Sequence, residues 1–170
     1  DFIYNGKRCY SISVGDLMPD NGYITLIDTD NNGTYDVVKI DRYEYIMVAQ
    51  IDAQNKSVMD RFTWQVYGFD EDKDAEKINI TKNGRTIKLE HLDRGDVLAI
   101  AKSRDGELIN AYVSDKKISG RVQAVSPEEY EIEVGGNVLS CVHNFDFAGL
   151  SGNVNVVVGL DWNGFAVGYY

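Results

Sequence analysis

The chain has 170 residues, of which 44% are hydrophobic and 26% are charged. This balance is typical of one ordinary or two small globular domains and excludes a largely disordered chain. Acidic residues outnumber basic ones 27 to 17, and the net charge is −10. Because nucleic acids and anionic membranes are bound mainly through Lys and Arg, we expect neither as a partner.

Short apolar runs with a period of two dominate the chain. The segments 23–27, 35–40 and 45–51 are rich in β-branched and aromatic side chains, which favour strands. Turn-forming pairs punctuate the chain at Asn83-Gly84, Asp105-Gly106, Gly135-Gly136 and Asn163-Gly164. We therefore predict an all-β fold. No apolar run is long enough for a membrane-spanning helix, so we expect no membrane insertion of this fragment.

The first predicted hairpin, residues 23–40, contains the most informative segment of the chain. Oxygen-bearing side chains recur at alternate positions of its turn, and Gly33 permits a sharp bend. Ca²⁺ prefers six to eight oxygen ligands, and this spacing directs oxygens to one centre. The predicted Ca²⁺ ligands are Asp28, Asp30, Asn32, the backbone carbonyl of Thr34, and Asp36.

The predicted loop is not an EF-hand, because its twelfth position is Lys39 instead of Glu and its flanks are strands. It resembles the strand–loop–strand calcium sites of extracellular β-proteins, in which the ninth-position Asp, here Asp36, closes the shell. The alternative is a turn without metal, since Asp, Asn and Gly all favour turns.

The segment GYITLIDTDNNGTYDVV, residues 22–38, resembles the acidic hairpin of β-rich repeat modules in Gram-positive cell-surface proteins. Those modules lie beside S-layer homology domains or other wall anchors. The segments 93–97, 113–122 and 160–164 are similar to later parts of the pattern, although an extra aromatic stands within 161–165. The resemblance implies an extracellular or cell-wall module whose partners are other domains of a larger surface protein and, as a further expectation, cell-wall polysaccharide.

Comparison of the chain with itself indicates a duplication. A strand, a tight turn and a second strand follow both Gly95 and Gly152, and segment 48–52 resembles segment 122–126. We predict N-terminal strands with the calcium-type hairpin in residues 1–41, then two small five-stranded OB-like β-barrels in residues 42–117 and 118–170. The alternative is one continuous β-sandwich.

Alternation along a strand predicts which side chains of the two matched strands point inward. Leu98 and Ile100 form a rival apolar face, which would bury the first of these strands on both sides. The predicted inward sets, each starting two residues after its matched glycine, are Val97, Ala99 and Ala101, and Val154, Val156 and Val158.

Three further features have competing interpretations. Arg94-Gly95-Asp96 matches the integrin-binding tripeptide, but we interpret it as a turn entering a strand. Cys9 and Cys141 are interpreted as unpaired thiols, with one disulfide as the alternative. The two tryptophans are interpreted as core anchors; if exposed, they would be able to stack on sugar rings. They are Trp64 and Trp162.

The sequence contains no convincing Ser/His/Asp or Cys/His set, so we expect no enzyme. Our leading expectation is a non-catalytic structural or interaction module with one structural Ca²⁺, taken from a longer extracellular or cell-wall protein of a bacterium. The alternative is a carbohydrate-binding accessory module of a polysaccharide-degrading enzyme, which a row of exposed Trp and Tyr rings would favour.

Overall fold

The computed structural model describes all residues from 1 to 170, and the all-β prediction is confirmed. Two short 3₁₀ segments, Val14–Leu17 and Leu89–His91, are the helical part of the chain. The strands in chain order are β1 (Phe2–Tyr4), β2 (Lys7–Cys9), β3 (Gly22–Ile27), β4 (Val37–Arg42), β5 (Glu44–Asp52), β6 (Ser57–Asp60), β7 (Val66–Gly68), β8 (Lys77–Lys82), β9 (Arg85–Ile87), β10 (Val97–Lys102), β11 (Leu108–Ser114), β12 (Lys117–Ser126), β13 (Glu131–Val134), β14 (Asn137–Ser140), β15 (Asn155–Leu160) and β16 (Ala166–Tyr169).

The strands form three open sheets. The N-terminal sheet has the order β2-β1-β4-β3, the central sheet β7-β6-β5-β10-β11-β8-β9, and the C-terminal sheet β14-β13-β12-β15-β16. Neighbouring strands are antiparallel except for the pairs β1–β4 and β8–β11. Because the strands form three sheets, the alternative prediction of one continuous β-sandwich is not met.

No sheet closes into a barrel, so the prediction of two OB-like barrels is wrong in that respect. In the central sheet, β8 follows β7 along the chain but pairs with β11 instead of β7. In the C-terminal sheet, one isolated parallel bridge between Cys141 and Ala166 links the end of the β14 segment to β16. A single bridge is too short to form a ladder, and the sheet stays open.

The central and C-terminal sheets nevertheless share one strand order. In the central sheet β5 pairs with β6 and β10, and β10 pairs with β11; in the C-terminal sheet β12 pairs with β13 and β15, and β15 pairs with β16. The hairpin β8–β9 extends the central sheet beyond this shared pattern. The first strand also carries a register shift at the same place, between Val48 and Gln50 in β5 and between Val122 and Ala124 in β12. This agreement supports the predicted duplication, while the boundaries at residues 42 and 118 stay predictions.

Backbone hydrogen bonds correct the register of the two matched segments by one residue. The Gly95 amide donates to the Val48 carbonyl at 2.8 Å. The Asn153 amide donates to the Val122 carbonyl at 2.9 Å, and both donors have positive φ, 84° and 79°. Asn153, not Gly152, is therefore equivalent to Gly95. A shift of one residue exchanges the two faces of a strand, which changes the predicted inward set.

The inward residues of β10 are accordingly Leu98 and Ile100, which join the buried cluster inside the central sheet. The predicted set Val97, Ala99 and Ala101 is buried too, but it packs with residues of the C-terminal sheet on the opposite face. Strand β10 is thus buried on both sides. In the C-terminal segment, Val156 and Val158 are buried as predicted, whereas Val154 is exposed.

The two halves therefore share one core. The outer face of the central sheet, through Met47 and Val97, packs on Val158 and Val167 of the C-terminal sheet. Glycine allows this close approach, because a Cβ at Gly159 would lie 2.5 Å from Met47 Cε and 2.9 Å from Val97 Cγ2. Both cysteines are free, as predicted.

Polar contacts attach the N-terminal sheet to the central sheet. The buried Asn5 side chain donates through Nδ2 to the Lys102 carbonyl and accepts from the Arg42 amide through Oδ1, both at 2.8 Å. Arg104 donates to both carboxylate oxygens of Asp16 at 3.0 and 2.8 Å. Because Asp16 lies in the segment between β2 and β3, this bidentate pair holds that segment against the β10–β11 turn.

Candidate metal centre in the acidic hairpin loop

The acidic loop, residues 28–36, joins β3 to β4 at the surface. The antiparallel register of β3 and β4 pairs Ile27 with Val37, so both ends of the loop are held by the ladder. Two residues within it have positive φ, Asn31 at 59° and Gly33 at 85°. Asn tolerates this left-handed conformation better than most residues, and Gly accepts it freely, so the chain turns sharply here.

Backbone amides of the loop point towards its own carboxylates. Asp28 accepts from the Gly33 amide at 2.8 Å and from the Asn32 amide at 3.2 Å. Asp36 accepts from the Thr29 amide at 2.7 Å and from Thr29 Oγ1 at 2.6 Å. These hydrogen bonds within the loop therefore fix the orientation of the Asp28 and Asp36 side chains.

Three of the five predicted ligands converge. One carboxylate oxygen from each of Asp28, Asp30 and Asp36 lies within 4.8 Å of the other two. Asn32 lies beside them, and its Nδ2 donates to Asp30 at 2.9 Å. The Thr34 amide donates to Asn32 Oδ1 at 2.8 Å. The ability of these five residues to coordinate a metal stays a prediction.

Hydrogen bonding lowers the pKa of two of these carboxyl groups. For Asp28 the main cause is the bond from the Gly33 amide, and for Asp36 it is the bond from the Thr29 hydroxyl. Because the charged forms are favoured, both groups are anionic at neutral pH. Hard oxygen anions close together suit a Ca²⁺ ion.

In an NMR pH titration, Asp28 and Asp36 are expected to have pKa values below the ordinary value of about 3.9. Their contribution to stability is then complete above pH ~3.9 and is lost as the pH falls through the folded-state pKa. A Thr29→Val variant should raise the pKa of Asp36 and leave that of Asp28 unchanged. An Asp36 pKa at or above the ordinary value in the unmodified chain would contradict this account.

The integrin-type tripeptide is not available for recognition. Asp96 is buried, accepts from the Asp93 amide at 3.1 Å and forms an ion pair with Lys82 at 3.2 Å. Gly95 has a φ of 84°, as a tight turn entering β10 requires. The structural interpretation of this motif is confirmed.

The two tryptophans are not the buried core anchors that were predicted. Trp64 is 67% exposed at the turn between β6 and β7, and Trp162 is 36% exposed at the turn between β15 and β16. The turn residues are held by buried carboxylates instead. Asp60 accepts from Phe62 and Thr63, while Asp161 accepts from Asn163 and Phe165.

Sequence reasoning also missed a cluster of aromatic rings around Tyr43. Trp162 lies against Tyr43 and Tyr112, with ring centroids 5.3 and 5.7 Å apart, and Tyr23 lies 6.2 Å from Tyr43. The four rings come from segments far apart along the chain. No local spacing could have indicated that they meet.

A cleft of about 600 Å³ lies between the N-terminal and central sheets. Several of its polar side chains have partners within the chain. Glu44 accepts from the Tyr67 hydroxyl at 2.6 Å, Asp74 accepts from the Asp70 amide at 2.8 Å, and Asn5 makes the two bonds described above. These contacts occupy part of the polar lining of the cleft.

Comparison with known proteins returned no matching family model, no similar curated protein and no similar solved structure. None of the helical segments reaches the length and apolarity needed to span a membrane.

Proposed function

We propose that the chain is a non-catalytic, extracellular structural or interaction module of a bacterial cell-surface or cell-wall protein. In this proposal the acidic loop binds one structural Ca²⁺ through Asp28, Asp30, Asn32, Thr34 and Asp36. The module serves as a spacer or as an interaction platform between other domains of the larger protein.

The observation that carries the calcium proposal is the convergence of three carboxylates in a loop held by two paired strands. Asp28, Asp30 and Asp36 repel one another when no cation is present, so a bound cation would stabilise the loop. The same residues have the alternating spacing that the sequence resemblance associates with extracellular calcium hairpins. Geometry and sequence thus support the same ligand set.

The extracellular location and the non-catalytic role rest on the sequence. The acidic hairpin resembles modules of Gram-positive surface proteins, and the chain has no recognisable nucleophile–base set. The net charge of −10 disfavours nucleic acid as a partner, because phosphate binding requires Lys and Arg. Millimolar calcium outside the cell would fill a site of only moderate affinity.

Calcium is expected to raise the melting temperature by about 5–10 °C when 1 mM Ca²⁺ is compared with excess chelator, for a Kd of roughly 10 μM. The physical reason is that the ion binds the folded loop and not the unfolded chain. Differential scanning fluorimetry measures the shift, and isothermal titration calorimetry measures the stoichiometry, which should be one.

The matched variants are Asp30→Ala in the loop and Asp52→Ala at the β5–β6 turn. Asp52 is also a turn acid that accepts from a backbone amide, that of Asn55 at 2.9 Å, but it is not part of the carboxylate cluster. Asp30→Ala should abolish the calcium-dependent rise in melting temperature, and Asp52→Ala should retain it. Equal melting temperatures with calcium and with chelator in the unmodified protein would refute the calcium site.

A further inference from the structure

We propose that a cluster of exposed aromatic rings beside the N-terminal hairpin binds the sugar rings of a neutral oligosaccharide. The aromatic platform consists of the exposed rings of Tyr23, Tyr112 and Trp162 around the buried ring of Tyr43. This role goes beyond the structural function proposed above and does not depend on the calcium loop.

The buried Tyr43 ring holds the platform together. Its centroid lies 5.3 Å from Trp162, 6.1 Å from Tyr112 and 6.2 Å from Tyr23. Trp162 is 36% exposed, Tyr112 38% and Tyr23 50%. Aromatic pairs at these separations attract one another, so the outer rings are held in place without being buried. A preorganised aromatic surface loses little entropy when it binds a ligand.

A buried carboxylate and a partly exposed ammonium group form an ion pair beside the platform. Asp41 of β4 is directly opposite Tyr23 of β3 in the ladder. Its Oδ2 is paired with Lys39 Nζ at 2.8 Å, a distance at which an ammonium N–H donates to a carboxylate. The Lys39 side chain is 37% exposed and its ammonium group has three N–H donors, so it keeps donors for a ligand hydroxyl.

The ion pair lies within electrostatic reach of the platform. The pKa of Tyr112 is raised first by burial and then by the charge of Asp41, and the charge of Lys39 lowers it. The pKa of Tyr43 is raised mainly by burial, with Asp41 among the further causes. Both charges of the pair therefore act on the rings of the platform.

A hollow of about 220 Å³ extends the platform on the side of Tyr112 and Trp162. It is also lined by Asn83, Asp115 and Lys116. Asp115 pairs with Lys82 at 3.2 Å and Lys116 Nζ donates to the Trp162 carbonyl at 2.8 Å, so the Asn83 amide is the group that the hollow adds. Clefts for drug-sized ligands are typically about 300–1,000 Å³, so this hollow suits a single small ring better than a large ligand.

Sugar chemistry matches these groups. A pyranose ring presents C–H bonds to the face of an aromatic ring, whose face carries partial negative charge. Its hydroxyl oxygens accept hydrogen bonds, so one of them can accept from the partly exposed Lys39 ammonium group. The net charge of −10 disfavours polyanionic glycans and nucleic acids, which would otherwise also stack on such rings.

The test uses the full chain and two neutral hexasaccharides, of β-1,4-linked glucose and of β-1,4-linked N-acetylglucosamine. Binding is followed by tryptophan fluorescence and by NMR shifts of the platform residues. At least one hexasaccharide is expected to bind. Tyr112→Ala and Trp162→Ala should each weaken binding about tenfold. The near-ultraviolet circular dichroism of each variant reports whether it folds, and either folded variant is sufficient for the test.

Trp64→Ala is the matched control, because Trp64 is the more exposed tryptophan and none of its ring contacts joins it to the platform. Its binding should equal that of the unmodified protein. The proposal is overturned if neither sugar binds at roughly 10 mM. It is also overturned if Tyr112→Ala and Trp162→Ala bind normally, or if Trp64→Ala removes the binding.

Discussion

Replacing Leu98 by Ala is expected to lower the free energy of unfolding by about 2–5 kcal/mol. Leu98 is completely buried in the centre of β10, and its side chain packs inside the central sheet. The opposite face of β10 is covered by the C-terminal sheet, so neighbouring strands have little freedom to fill the cavity. Urea denaturation followed by circular dichroism measures the change.

Leu26→Ala provides the control, because it removes the same atoms from a side chain that is 48% exposed on the edge strand β3. This variant is expected to change stability by no more than about 0.5–1 kcal/mol. Similar losses in the two variants would contradict the assignment of Leu98 to the core of the central sheet.

Replacing Gly120 by Ala is expected to cost about 1–3 kcal/mol, the usual range for overpacking. A Cβ at this position would lie 2.6 Å from Gly135 Cα and 2.8 Å from Gly135 N. These are backbone atoms, so they cannot move aside as a flexible side chain can. Strand β12 pairs with both β13 and β15, and a displacement of β12 would disturb both ladders.

Gly152→Ala is the appropriate comparison for this variant. No atom lies within 4 Å of a Cβ built on Gly152, and its φ is not in the left-handed region. The change should therefore be neutral or slightly stabilising, because Ala reduces the entropy of the unfolded chain. Thermal unfolding of the two variants separates these outcomes. A stable Gly120→Ala protein would mean that β12 and the β13–β14 turn are not in close contact.

Local sequence patterns were sufficient to predict several of the strands and the convergence of the carboxylates in the acidic loop. Alternation and β-branched residues predicted β3, β4 and β5, because a strand with one buried face has a period of two. The spacing of Asp28, Asp30 and Asp36 predicted that their carboxylates would converge, because neighbouring residues in a tight loop cannot lie far apart.

Local patterns did not determine which face of each matched strand packs in which core. Leu98 and Val97 are both buried, and only the packing of two sheets on β10 decides which core each one joins. The match of Gly95 to Gly152 was wrong by one residue, because Asn153 adopts the left-handed φ that usually indicates Gly. Hydrogen bonds across the ladder were needed to correct the register.

The two tryptophans illustrate the same limit. A Trp in a β-rich chain is usually mostly buried, but Trp64 and Trp162 stand in turns whose geometry is set by the buried Asp60 and Asp161. Burial of a turn residue depends on what other part of the chain covers it. Trp64 is 67% exposed, and Tyr43, Tyr45 and Tyr112 cover Trp162 only in part.

Residues near one another along the chain thus define the all-β class, the turns and the acidic loop, because hydrogen-bonded strands and tight loops depend on short-range spacing. Long-range packing decides three other properties: the open sheets, the shared core and the aromatic platform. The platform brings Tyr23, Tyr43, Tyr112 and Trp162 together from the N-terminal, central and C-terminal sheets. Such contacts depend on how whole sheets pack, and that is determined by the total apolar surface that folding buries.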